Sequence, residues 1–183
     1  MHSQFQQFFD CCVGNWVAER TYHYLAHQEV ERSRTEFQIE PLSEELKLKV
    51  LSDNVYPSPG NLAALPGYHL SFYTVSETGE EVSQQLNFLF VPTQDNSTEI
   101  EGDYLRDRAY EEARPLISHF RFAPETHELL MTTQYTRVVS VDSITLVNPN
   151  LRIRKIINYL RPPEGQPLAQ ISLVGFGVEQ KGA

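Results

Sequence analysis

Beyond residue 14 the chain breaks into short runs rich in aromatic and β-branched residues, each ended by turn-forming chemistry, and that rhythm constrains the fold more than any other feature. Residues 16–25 open the series. Residues 35–39 read Thr-Glu-Phe-Gln-Ile, the two-residue alternation of a strand with one wet face. Residues 68–76 and 82–91 flank Glu77-Thr78-Gly79-Glu80, a hairpin loop whose glycine can take the positive φ such loops need. Further runs span 116–122, 129–137, 138–147, 151–160 and 168–178. Pro124-Glu125, Asn148-Pro149-Asn150 and Arg161-Pro162-Pro163-Glu164-Gly165 separate them.

Two segments break the rhythm. Residues 4–12 carry Phe5, Phe8, Phe9 and Cys12 at helical spacing, which predicts a short amphipathic helix. Residues 43–51 suit either a helix capped by Ser43 or another strand, and the helix is favoured. Residues 53–66, with Pro57, Pro59, Gly60 and Pro66, predict a long irregular connection, while the charged stretch 103–114 fits a strand, a helical turn or a loop.

Many antiparallel strands, short connections and one or two helices in 183 residues point to a closed barrel or a sandwich, with the barrel favoured. The expectation is one domain over 1–183, with a helix at about 3–12 and a barrel at about 14–180. A closed barrel of roughly eight or more strands can enclose one small ligand.

Composition closes off several function classes. Fifteen Lys and Arg against 24 Asp and Glu give a net charge of -9, so the molecule as a whole is not built to grip nucleic acid or anionic lipid. The two cysteines, Cys11 and Cys12, are neighbours that cannot form an unstrained bridge, which fits a reducing, cytoplasmic compartment. Neither a secretory leader nor a stretch long enough for a membrane span is recognisable, so the sequon Asn96-Ser97-Thr98 is expected to be chance. Phosphate-loop, dinucleotide, esterase-elbow and zinc-protease signatures are absent from the sequence. Of six histidines only His23 and His27 lie at a metal-like spacing, one that converges on a helix but not on a strand, and no metal site is expected.

Three groups of residues carry candidate chemistry. In Asn148-Pro149-Asn150-Leu151-Arg152-Ile153-Arg154, strand alternation puts Arg152 and Arg154 side by side, a pair suited to a ligand with two carboxylate arms or, equally, to a solvated outer face. Arg20-Thr21-Tyr22-His23-Tyr24 places a cation and an imidazole among aromatics, but alternation puts Arg20 and His23 on opposite faces unless the strand bulges. Asp142 shares the arginine face if the turn at Pro149 has three residues, whereas a two-residue loop brings Ser143 and Thr145 there instead. A carboxylate in an apolar cavity suits a cationic or N–H-rich ligand.

Phe8-Phe9, Gly14-x-Trp16, Arg20-Thr21-x-His23 and Asn148-Pro149-Asn150-Leu151-Arg152-x-Arg154 together resemble the S/U-type phycobiliprotein bilin lyases, CpcS/CpeS and CpcU/CpeU. The likeness spans most of the chain and is loosest between residues 43 and 112. It implies a lipocalin-like, fatty-acid-binding-protein-like up-and-down barrel that takes an open-chain tetrapyrrole, such as phycocyanobilin or phycoerythrobilin, as substrate and needs no resident cofactor. The bilin is then delivered to a cysteine of an apo-phycobiliprotein subunit, whose thiol adds to ring A as a thioether. The acceptor supplies the sulfur, so Cys11 and Cys12 need no catalytic role.

Carried over by position, the resemblance assigns Arg20, His23, Asp142, Arg152 and Arg154 to bilin binding. It gives Asp142 a catalytic role in favouring the protonated chromophore, and it suggests Tyr22 and Phe72 as pocket lining. The family more often has glutamate where Asp142 stands. S-type members tend to carry tryptophans in the middle of the chain, whereas Trp16, near its start, is the only tryptophan here, which leaves a U-like subunit or a divergent S-type open. A homodimer, or a heterodimer with a related subunit, in the cyanobacterial cytosol or plastid stroma follows from the same likeness. A non-catalytic carrier of bilin or fatty acid is the alternative.

Overall fold

A computed structural model describes residues 2–95, 98–107 and 115–182. In chain order the elements are α1 (His2–Cys12), β1 (Gly14–Tyr24), β2 (Glu29–Pro41), α2 (Glu44–Asp53), β3 (Gly67–Ser76), β4 (Glu81–Asp95), β5 (Ile100–Arg106), β6 (Ser118–Ala123), β7 (Glu128–Gln134), β8 (Val138–Asn148), β9 (Leu151–Leu160) and β10 (Ile171–Lys181). Each strand pairs antiparallel with its sequence neighbours, and β1 closes on β10, so the described residues form an up-and-down closed barrel. Closure leaves no sheet edge, which is how an antiparallel sheet of this size protects its backbone donors and acceptors.

The alternation seen in residues 35–39 runs much further. Along β2, Ser33, Thr35, Phe37 and Ile39 are buried while their neighbours face water. In β4, residues 87–91 are buried throughout, because Phe88 and Phe90 face the barrel interior while Leu89 and Val91 lie under α2 and its loop. Ser43 caps α2 by accepting a hydrogen bond from the Leu46 N–H at 3.3 Å, which selects the helical reading. Gly79 turns the β3–β4 hairpin at φ 85°.

One boundary is corrected and one open segment is resolved. β10 starts at Ile171 rather than at residue 168, because Leu168 is exposed in the connection that follows β9. The open segment 103–114 contributes Asp103–Arg106 to the end of β5, a strand whose acidic outer residues hide its buried Ile100, Gly102 and Tyr104. Residues 108–114 of that segment, and Asn96 and Ser97 of the sequon, lie outside the described residues.

α1 closes one end of the barrel. Phe5, Phe8, Phe9 and Cys12 form one apolar face that enters the barrel at the end where β1 begins. There Phe5 stacks on Phe120 at 5.2 Å between centroids and meets Phe9 edge-on at 4.9 Å, while Phe9 lies 4.8 Å from Phe90. Two carbonyls at the C-terminal end of the helix are satisfied by the barrel: Trp16 Nε1 donates to Cys12 at 2.8 Å and Lys181 Nζ to Cys11 at 3.0 Å. This end of the barrel is therefore filled.

Candidate functional site

Above the aromatic plug the interior holds a cavity of about 540 Å³, within the range of roughly 300–1,000 Å³ common for small-molecule sites. Its mouth lies at the opposite end from α1, where Tyr24, Glu31, Arg106, Tyr135 and Asn158 line it. Four arginines, Arg20, Arg106, Arg152 and Arg154, face it with two carboxylates, Glu31 and Asp142. A cation-rich interior in a chain of net charge -9 suits a ligand bearing acidic groups.

Strand register builds the charged wall. On β10, Glu179 sits between Ala18 of β1 and Arg152 of β9; one step toward the mouth Gly177 sits between Arg20 and Arg154, and then Gly175 between Tyr22 and Ile156. The glycines make room for these large neighbours. A Cβ on Gly175 would lie 2.8 Å from the Tyr22 ring, and one on Gly177 3.1 Å from Arg20 Cγ.

At the base of the cavity Arg152 Nε donates to Glu179 Oε2 at 2.5 Å, with side chains 5% and 0% exposed. Arg20 Nη2 reaches the other oxygen of Glu179 at 3.4 Å, and Arg20 Nε is buried without a hydrogen-bond partner. The Arg152 guanidinium also lies 4.6 Å from the Trp16 centroid and 5.1 Å from that of Phe37. Burial works against both charges. The arginines overcome it at Glu179, whose carboxyl is held below its ordinary range, and the Glu179 carboxylate in turn holds Arg152 more firmly protonated than usual. Burial pushes the Cys12 thiol up, which fits packing rather than nucleophilic work.

Closer to the mouth Arg154 donates from Nε at 3.1 Å and from Nη2 at 2.9 Å to a single oxygen of Asp142, Oδ1. This pair is wetter, with side chains 26% and 21% exposed. Asp142 reaches the arginine face by a route that sequence reasoning did not weigh. The β8–β9 loop has only two residues between the paired Asn148 and Leu151, but a bulge at Val147 shifts the phase, so Ile144 faces Arg154 and Asp142 faces Ile156. At the rim the Tyr24 hydroxyl donates to Glu31 Oε2 at 3.1 Å, and Arg106 Nη2 to the Tyr135 hydroxyl at 2.7 Å. Burial keeps the Tyr68 and Tyr104 hydroxyls protonated well above the usual tyrosine range.

Of the residues singled out from the sequence, Arg20, Tyr22, Phe72, Asp142, Arg152 and Arg154 come together around the cavity. His23 does not. Its strand pairs without a bulge, so His23 takes the face opposite to Arg20 and is exposed on the outside of the barrel. Arg152 and Arg154, read from the sequence as a side-by-side pair suited to two carboxylate arms or to a solvated outer face, both face the cavity, and each also holds a carboxylate of its own chain. Sequence reasoning missed Glu179 and its glycines, whose signal is the alternate spacing Gly175-x-Gly177-x-Glu179 on one strand face. Among the described residues no cluster of His, Cys, Asp and Glu could hold a metal ion. Nor is any described helix long and apolar enough to cross a membrane.

Comparisons with known proteins converge on one group. The family described as CpeS-like protein matches residues 4–181. The chain is 61% identical over 178 residues to "Chromophore lyase CpcS/CpeS 1" of Synechococcus sp. (strain JA-3-3Ab), covering 97% of this chain and 96% of that one. It is 28% identical over 152 residues to "Chromophore lyase CpcS/CpeS" of Thermosynechococcus vestitus (strain NIES-2133 / IAM M-273 / BP-1), covering 83% and 82%. In fold it is similar to the S-type phycobiliprotein lyase CPES from Guillardia theta, with a TM-score of 0.76 at 16% identity over 98% of this chain and 93% of that one.

Proposed function

From the premise that the chain belongs to the CpeS-like family and is a chromophore lyase of the CpcS/CpeS kind, we propose that it holds a bilin in the barrel cavity and presents it through the open mouth to a cysteine of an apo-phycobiliprotein subunit. The observation that carries this reading is the one-ended cavity of about 540 Å³, filled by α1 at its base and lined by four arginines. A carboxylated, elongated and largely apolar ligand is matched by such a wall.

Arg20 and Arg154 meet the acidic arms of the bilin. Arg152, 4% exposed and fixed by Glu179, stands behind them and keeps the base of the site positive. Asp142, held by Arg154 through one oxygen, offers its second oxygen to the pyrrole N–H groups and so favours the protonated chromophore. The acceptor thiol then adds across the exocyclic double bond of ring A: the sulfur bonds to carbon, the thiol proton is taken up by the conjugated system, and no oxidant or leaving group is needed. The bilin is substrate, with no resident cofactor. We place it in the cytosol or plastid stroma, and the cyanobacterial relatives support the first of these settings.

The test is transfer by the purified chain. Phycocyanobilin, an apo-phycobiliprotein subunit and this protein should give covalent absorbance on the acceptor that survives denaturation and forms faster than without the protein. Binding without acceleration would leave a carrier or a subunit that needs a partner.

A further inference from the structure

One polar patch in the cavity belongs to neither ion pair. Thr133 of β7, Ser140 of β8 and Asn158 of β9 are successive register partners, and all three line the cavity near its mouth. Thr133 is 5% and Ser140 8% exposed. The Asn158 carbonyl oxygen, Oδ1, is buried and has no hydrogen-bond partner. A buried amide left unmade costs about 1–3 kcal/mol, so it marks a place where something outside the chain completes the bond. The backbone around it is settled: the Asn158 main-chain carbonyl accepts from Ser172 Oγ at 3.1 Å, beside a bulge that keeps Leu173 facing inward next to Asn158.

The chemistry of this row differs from that of the charged wall. It is neutral and carries donors and acceptors together, so it suits a group that is itself a neutral donor and acceptor. Along β9, Asn158 is four residues from Arg154, or about 13 Å at a strand rise of roughly 3.3 Å per residue, so the two cannot serve the same ring of one ligand. A linear tetrapyrrole carries its acid arms on the two central rings and a lactam on each terminal ring, and a lactam presents one N–H and one C=O on the same edge. We propose that Asn158, with Ser140 and Thr133 beside it, is a recognition subsite for a terminal lactam of the bound chromophore. The Asn158 amide exchanges two hydrogen bonds with the lactam edge. This fixes the ring nearest the mouth, and therefore which end of the bilin an incoming thiol meets. The inference rests on the bilin-binding reading above and deepens it.

The experiment is an absorbance titration of the full chain with biliverdin and with its lactim methyl ether, in which O-methylation removes the lactam N–H and blocks the C=O. The wild type should bind the free lactam about tenfold more tightly than the ether, the value of one to two neutral hydrogen bonds. Asn158→Leu should bind the two alike, at the level of the ether, and its retained ether binding shows that the barrel is intact. Ser140→Ala, too small a change to threaten the fold, should lose about threefold of the preference. A full wild-type preference in both variants would overturn the lactam subsite while leaving the bilin site standing. Binding of neither ligand by the wild type would overturn the bilin reading itself, and the subsite with it.

Discussion

Two arginines two residues apart on β9 face the same interior and each grips a carboxylate, yet they do different work. Arg152 and Glu179 form a dry pair at the base, with side chains 5% and 0% exposed, pressed against Trp16 and so against the plug helix. Arg154 and Asp142 form a wet pair at 26% and 21% exposure, nearer the mouth and open to a ligand. The difference is location along the barrel axis. At the closed end a charge survives only if its partner is fixed; at the open end water screens the pair, and a ligand can compete for either member.

The sharpest way to break this comparison is to remove the buried carboxylate. Glu179→Gln leaves Arg152 and Arg20 charged with no counter-ion on Glu179 and should cost about 3–5 kcal/mol of stability, measured as the shift of the urea unfolding midpoint. Asp142→Asn should cost about 1 kcal/mol or less, because solvent reaches both members of that pair. Equal losses would mean that the two ends are not electrostatically distinct. Phe5→Ala attacks the same end through packing. Phe5 is fully buried against Phe9, Phe90, Phe120 and Phe122, so about 3–5 kcal/mol should again be lost. A change near zero would show that α1 rests on the barrel without plugging it.

Acid should separate the ends as well. The folded Glu179 carboxyl titrates below its ordinary range, while in the unfolded chain it returns to about 4.3. Its contribution is therefore complete above that ordinary value and is lost as pH falls through the lower folded value. The wild type should lose stability more steeply than Glu179→Gln as pH falls below about 4.3. Parallel curves would mean that the buried carboxylate is not the one holding that end together in acid.

The barrel was legible because period-two alternation and turn chemistry are local, and the helix of α1 because its four apolar residues repeat at helical spacing. The strand that escaped, β5, hides its buried Ile100 and Tyr104 among acidic outer residues. The site was legible only in part. Arg152, Arg154, Arg20 and Asp142 stood out as charged residues in β-like runs. Glu179 did not, since one more glutamate near a C-terminal strand looks like surface until pairing with β9 and β1 puts it between Arg152 and Ala18. Asp142 was undecidable for a physical reason: one extra residue at Val147 reverses which face every residue of β8 presents, and nothing local announces a bulge.

At the open end the expected signal is spectral rather than thermodynamic. If Asp142 contacts the pyrrole nitrogens, Asp142→Asn should bind phycocyanobilin with an altered long-wavelength band, reporting a smaller protonated fraction, while its unfolding midpoint moves little. An unchanged band at saturating protein would leave Asp142 as the counter-ion of Arg154 and nothing more.

The smallest expected effect tests the geometry of the cavity wall itself. His23 follows Tyr22 on β1, and family likeness would put His23 at the pocket, but an unbroken register sends Tyr22 inward and His23 out. His23→Ala should therefore change bilin affinity by less than about twofold, within the scatter of a surface substitution, whereas Tyr22→Ala, which strips a ring from the cavity beside Gly175, should weaken it by about tenfold or more. Should His23→Ala leave binding intact yet slow transfer to the acceptor, the outer face of β1 is where the acceptor protein docks.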